Sequence, residues 1–240
     1  MEDLSTLINL KDFTDFPFAC KHFGIEINNN QLDLFKKYYE ILLDWNQKIN
    51  LISRTLTKPG GNGNNQILEK HFLDSILFLP EIKRLNNKED KTNLFDIGSG
   101  GGFPAIPLAI MNPEWDFVLC ESIKKKAVFL NHVAKKLGLE KFVKIINARV
   151  EAIHELPLHK NKYALVTARA IAKLDELIKY SLPLLKSGGS LIAYKSKNIE
   201  DEIKEVNHLL NKNDVSLFIF SKTINDIERK LILFKTSPIS

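Results

Sequence analysis

The stretch Leu94-Phe95-Asp96-Ile97-Gly98-Ser99-Gly100-Gly101-Gly102-Phe103-Pro104 constrains the fold of this chain more than any other. Leu94–Ile97 is a short apolar run bounded by glycine, which reads as a buried strand. Ala105, Leu108, Ala109 and Ile110 then begin an apolar helical pattern. Strand, glycine-rich turn and helix, in that order, build the ligand crevice of a doubly wound α/β sheet. Glycine serves there because it lacks Cβ: backbone can approach a ligand closely and adopt positive φ.

The spacing sharpens the expectation. It is Gly98-x-Gly100-x-Gly102 rather than G-x-G-x-x-G, which argues against a dinucleotide pyrophosphate. Asp96, two residues before the first glycine, would repel pyrophosphate and suits a ligand with a cationic amino or sulfonium group. A tight turn without a ligand is the alternative; the strand, acid and helix together weigh against it. An acid followed by G-x-G-x-G resembles motif I of the class I S-adenosylmethionine (SAM) methyltransferases. The resemblance implies SAM as cofactor, with Asp96, Gly98, Gly100 and Gly102 in its site.

Asp116–Cys120 reads as the next strand and ends at Glu121. Glu121 falls about twenty residues past the glycines, where such folds place a carboxylate on ribose hydroxyls. It can equally serve as an acid at the start of the helix that follows, where negative charge is favoured, and the two roles are compatible.

The 240 residues suit one globular core plus an extension. No apolar run reaches membrane-spanning length, so no membrane association is expected. Met1-Glu2-Asp3-Leu4 lacks a basic signal-peptide start. Cys20 and Cys120 are far apart, and Cys120 sits in a buried-strand pattern, which reads as a reduced core residue. These features point to a cytoplasmic protein. The six histidines are scattered and no Cys-x-x-Cys occurs, so no metal is expected. The net charge of +5 permits an anionic partner such as RNA without requiring one.

Residues 31–47 form an amphipathic helical pattern, residues 50–54 a short extended piece, and 58–65 a Gly/Asn-rich loop. Residues 67–79 read as a helix ended by Pro80. Beyond residue 92, strands at 94–97, 116–120, 142–147, 162–167, 189–195, 214–220 and 229–235 alternate with helices at 104–111, 124–137, 174–185 and 199–211. The expected fold class is α/β, a Rossmann-like class I SAM-dependent methyltransferase. It has a doubly wound, mostly parallel seven-stranded sheet, an antiparallel edge hairpin and an N-terminal helical extension. The expected division is 1–90 for the extension and 91–240 for the SAM-binding core.

Several short pieces, in order, make the resemblance specific: Asn50-Leu51-Ile52-Ser53, His71-Phe72-Leu73-Asp74-Ser75, the glycine turn with Phe103-Pro104-Ala105-Ile106-Pro107, Arg149-Val150-Glu151, Thr167-Ala168-Arg169-Ala170 and Tyr194-Lys195. They resemble the glucose-inhibited division protein B family, from about residue 31 to the C-terminus. That family methylates guanine N7 in the 530 loop of 16S ribosomal RNA. The resemblance implies a 16S rRNA or small-subunit partner. We expect a monomer. The resemblance also places Gly98, Phe103, Glu121, Val150, Glu151 and Arg169 in the SAM pocket. Phe103 can instead be core packing, and Glu151 a solvated helix-start acid.

Arg169 ends the fourth strand, where methyltransferases of exocyclic amines often carry Asn/Asp-Pro-Pro-Tyr. Guanine N7 has a free lone pair and no proton to lose, so positioning suffices. Arg169 can fork onto guanine or a phosphate, or pair with Asp96 or Glu121. Lys195, at the fifth strand end, can meet a phosphate or snorkel to solvent. Arg169 and Lys195 are therefore the expected substrate-positioning residues. His71 and Asp74 stand about one helical turn apart. Lys124, Lys125, Lys126, Lys135 and Lys136 read as a solvated helix face, with RNA contact as the alternative. Two other functions stay open: a non-catalytic SAM- or RNA-binding protein, and a nicotinamide-dependent oxidoreductase that the glycine spacing and Asp96 disfavour.

Overall fold

The computed structural model describes residues 8, 10–57, 63–86, 91–169, 173–195 and 199–237. Seven strands form one sheet: β1 Asn93–Ile97, β2 Asp116–Cys120, β3 Val143–Ile146, β4 Tyr163–Arg169, β5 Leu185–Lys195, β6 Val215–Ile224 and β7 Ile227–Thr236. Their order is β3-β2-β1-β4-β5-β7-β6. Neighbours pair in parallel, except that β7 runs antiparallel to both β5 and β6. The chain winds from β1 to β3 on one side and restarts at β4 on the other. Open α/β sheets bind ligands at such a switch point, beyond the carboxyl ends of the strands. The expected sheet and its edge hairpin are both present.

Side chains along β1 alternate between two cores. Leu94 packs with the N-terminal helices α1 Phe16–His22 and α2 Asn29–Asn46, and with α6 Ala105–Met111 and α7 Lys124–Lys136. Phe95 and Ile97 pack with α8 Leu174–Ser181 and α9 Ile199–Lys212. Covering both faces explains why β1 reads as a continuous apolar run. Asp96 stands in that run on the face shared with Leu94.

Several boundaries differ from the sequence reading, each for a local reason. Helix α1 was not expected; Pro17 lies in its first turn, where a missing N–H costs nothing. Helix α2 starts at Asn29 because Asn28 and Gln31 form a reciprocal capping box. Gly63–Ile67 is helix α3, not loop; residues 58–62 and Ala170 lie outside the described residues. Pro80 opens α5 Leu79–Leu85 rather than simply closing a helix. The segment before it is broken into a π-helical turn, Leu68–Leu73, and the short α4 Asp74–Ile76. Helix α8 stops at Ser181, just before Pro183, and β5 begins early at Leu185. Strands β6 and β7 run longer than read, because Asn225 and Asp226 both adopt positive φ and close a two-residue turn.

The extension packs onto the glycine turn. Phe103 makes ring contacts with Tyr38, His71 and Phe72 at 5.3, 5.0 and 5.4 Å. The buried Tyr38 hydroxyl donates to the Gly101 carbonyl.

Candidate functional site

The glycine turn continues the β1–β2 ladder: Gly98 N–H and Ser99 N–H both donate to the Cys120 carbonyl, at 2.8 and 3.1 Å. Gly98, Gly100 and Gly102 have φ of 64°, 55° and 90°, so the turn needs residues without Cβ. Their surroundings differ. A Cβ on Gly100 would meet only Gly98 O, at 3.7 Å. One on Gly102 would strike the Tyr38 hydroxyl at 2.7 Å and Ile106 at 2.8 Å. Gly100 faces open space, whereas Gly102 lets the extension close on the turn.

Glu121 is buried and braces the turn. Its Oε2 accepts from Gly100 N–H at 2.8 Å and its Oε1 from Ile123 N–H at 2.7 Å, at the start of α7. The helix-start role is thus present. Each oxygen retains lone-pair capacity for a further donor.

Beside this turn lies a cavity of about 380 Å³, within the usual range of small-molecule sites. Gly98, Ser122, Arg149, Val150, Glu151 and Tyr180 are among its lining residues. The sequence reading named Gly98, Val150 and Glu151. It missed Ser122 and Arg149, which directly adjoin Glu121 and Val150, and Tyr180, which α8 delivers from across the sheet. Phe103 does not line the cavity and is 8% exposed within the aromatic cluster, so it packs the core.

Asp96 is 1% exposed. Its Oδ1 accepts from Thr167 Oγ1 at 2.6 Å across the β1–β4 register, while Oδ2 has no partner among the described residues. Burial pushes its pKa up to about 7, and the Thr167 hydrogen bond only partly offsets that. An orphaned buried oxygen at a strand end fits a ligand that brings a donor or a positive charge. Burial drives the His71 imidazole, held against Phe103, down to about 3, so it is neutral.

Arg169 does not pair with Asp96 or Glu121, the partners open in the sequence reading. Its Nη2 meets Asp74 Oδ2 at 2.9 Å and also donates to the Lys70 carbonyl; Nη1 reaches Ser75 Oγ at 3.4 Å. The π-helical turn and α4 of the extension together carry these acceptors to the end of β4, a placement invisible in local sequence. Lys195 does not simply snorkel. It pairs with Glu202 of α9 at 2.8 Å, with both side chains partly buried. Lys124, Lys125, Lys126, Lys135 and Lys136 make no ion pair or side-chain hydrogen bond among the described residues. Those residues also contain no cluster of His, Cys, Asp and Glu able to hold a metal, and no helix long and apolar enough to cross a membrane.

The doubly wound sheet, antiparallel β7 and glycine-turn crevice define the class I SAM-dependent methyltransferase fold. An O-methyltransferase from Bacillus cereus, solved in complex with SAH, shares it: TM-score 0.57, 12% identity, covering 94% of this chain and 100% of that one. The model of the rRNA small subunit methyltransferase G family matches residues 31–232. Relatives of that name from Streptococcus gordonii and Staphylococcus epidermidis are 36% and 38% identical over 208 and 213 residues. The alignments cover 87% and 88% of this chain and 81% and 84% of the relatives. This chain belongs to the rRNA small subunit methyltransferase G family.

Proposed function

We propose that the protein transfers a methyl group from SAM to N7 of a guanine in 16S ribosomal RNA, in the 530 loop. The observation that carries the reading is the glycine turn at the end of β1, which opens beside a cavity lined from β1, the β2 and β3 ends and α8. SAM supplies an electrophilic methyl group on a sulfonium centre. Gly98, Val150 and Glu151 hold the cofactor, and Glu121 accepts from its ribose hydroxyls while bracing the turn. The open space at Gly100 and the orphaned Asp96 Oδ2 fit a cationic ligand there. Gly102 and Phe103 shape the turn from the protein side.

The β4 end carries no carboxylate or amide to hold an exocyclic amine by accepting its hydrogen bond; it carries Thr167, Ala168 and Arg169. Guanine N7 needs none. The residues have only to align the base with the methyl group and exclude water, which is catalysis by proximity and orientation. Arg169 and Lys195 supply the positive rim that positions the RNA, and Arg169 retains donors beyond those bound to Asp74, Lys70 and Ser75. Residues 91–240 act as the catalytic core, and 1–90 as an extension that walls the substrate side. Its ribosomal substrate places the enzyme in the cytoplasm.

Calorimetry with SAM and with NAD, followed by turnover with methyl-labelled SAM on small-subunit particles lacking the modification, tests the reading. We expect SAM binding, no NAD binding, and label in N7-methylguanosine. SAM binding without turnover on particles or free 16S rRNA would leave a binding protein and overturn it.

A further inference from the structure

Glu69 and Asp74 stand five positions apart, and in an α-helix that spacing turns two side chains about 140° away from each other. Here the segment is π-helical, and the Asp74 amide donates to the Glu69 carbonyl five residues earlier. The wider turn lets both carboxylates reach one guanidinium. Arg229, on β7, meets Asp74 Oδ1 through Nε at 3.2 Å and Glu69 Oε1 through Nη2 at 3.0 Å. Asn225, in the β6–β7 turn, donates to the other Glu69 oxygen at 3.0 Å. The second oxygen of Asp74 takes Arg169. One row of partners, Asn225, Glu69, Arg229, Asp74 and Arg169, therefore joins the edge hairpin to the end of β4. Tyr194 adds a bond from its hydroxyl to the Ser75 carbonyl at 3.0 Å, fixing the same segment to β5.

A single ion pair to Arg169 would fix one end of a mobile carboxylate. Two guanidinium groups, one on each oxygen, fix its plane as well. π-Helical turns account for well under 1% of residues and gather at functional sites. This one sits between the hairpin and the crevice.

We propose that Arg229 is a positioning residue for methyl transfer: gripping Glu69 and Asp74, it holds the Arg169 fork at the crevice rim where the guanine arrives. The inference rests on the role given to Arg169 under the proposed function. Burial raises the Asp74 pKa, and the charges of Arg169 and Arg229 work against that rise. Without Arg229, the carboxylate loses one of the two charges that keep it ionised, and its hold on Arg169 loosens.

The test is a double-mutant cycle on the full-length enzyme: Arg229→Gln, Arg229→Lys, Arg169→Ala and Arg229→Gln/Arg169→Ala. Turnover on small-subunit particles from a strain lacking the enzyme is measured with SAM affinity and melting temperature. We expect Arg229→Gln to lower kcat at least about tenfold with SAM affinity unchanged. Arg229→Lys should recover part of it, because an ammonium can meet one carboxylate but not hold both. The double variant should be no slower than Arg169→Ala alone. Wild-type kcat in Arg229→Gln with a lowered melting temperature would make Arg229 a strut and overturn the inference. Losses that multiply in the double variant would overturn it too. Normal turnover in Arg169→Ala would instead remove the reading on which it rests. If Arg229→Gln does not fold, the cycle is run with Arg229→Lys, and the same non-additivity decides.

Discussion

The two halves of the crevice are built differently. On the β1–β3 side, a continuous local device makes the site: a strand, a glycine turn, a neighbouring strand and its terminal glutamate, joined mainly by backbone hydrogen bonds. On the β4–β5 side, the site is assembled from distant segments. Arg169 is held by residues 70, 74 and 75, and those in turn by β5 and β7. The first half presents backbone to a constant ligand. The second presents long, charged side chains through partners that a single substitution can release.

That difference sets an order of effects. Asp74→Ala should be the most damaging, because it removes the carboxylate that two partly buried guanidinium groups share; breaking buried pairs costs up to about 3–5 kcal/mol. Denaturant unfolding measures it, and a loss below about 1 kcal/mol would mean the network contributes little to folding. Gly102→Val should follow, at about 2–4 kcal/mol, by combining a positive-φ penalty with overpacking against Tyr38 and Ile106. Gly100→Ala, with open space before it, should cost stability only about 1–2 kcal/mol yet weaken SAM. Equal destabilisation by the two glycine variants would break the distinction between a packed and an open glycine.

Glu121→Ala should weaken SAM by about 1.5–3 kcal/mol, the range for hydrogen bonds to a charged group, with some loss of melting temperature from the freed turn. Calorimetry decides; an unchanged dissociation constant would leave Glu121 only its bracing role. Asp96 gives a pH signature. Its folded pKa of about 7 lies above its ordinary 3.8, so its protonated form contributes stability that is complete below the ordinary value and lost as pH rises through 7. The ligand-free melting temperature should fall between about pH 4 and 7 and level off above that, and Asp96→Asn should flatten that fall. SAM affinity should move oppositely, strengthening as the carboxylate ionises. The smallest stability effect belongs to Lys195→Gln, under about 1 kcal/mol for one partly exposed ion pair. If turnover falls while stability holds, Lys195 serves the substrate.

The same contrast explains what could be read in the sequence. The strand–turn–helix unit, the sheet and the edge hairpin were legible because each is written in adjacent residues: apolar runs, glycines and alternating periods. Gly98, Val150 and Glu151 line one cavity because they follow strand ends, and strand ends converge in this fold. Tyr180 was not legible, since α8 reaches the cavity only through topology. The partner of Arg169 was not legible either. His71 and Asp74 looked like neighbours on one α-helical face, but the π turn sends His71 to Phe103 and Asp74 between two arginines. No local pattern in Leu68–Leu73 announces that turn, because tertiary partners stabilise it. Arg229 likewise looks like any charged residue in a strand of the terminal hairpin until Glu69 and Asp74 come together around it.

The most direct test is mass mapping of 16S rRNA from a strain deleted for this protein and complemented with either the wild type or Arg169→Ala. The account predicts that one methylguanosine in the 530 loop disappears on deletion, returns as N7-methylguanosine with the wild type, and stays absent or strongly reduced with the folded Arg169→Ala protein. Unchanged 16S methylation in the deletion strain would contradict it.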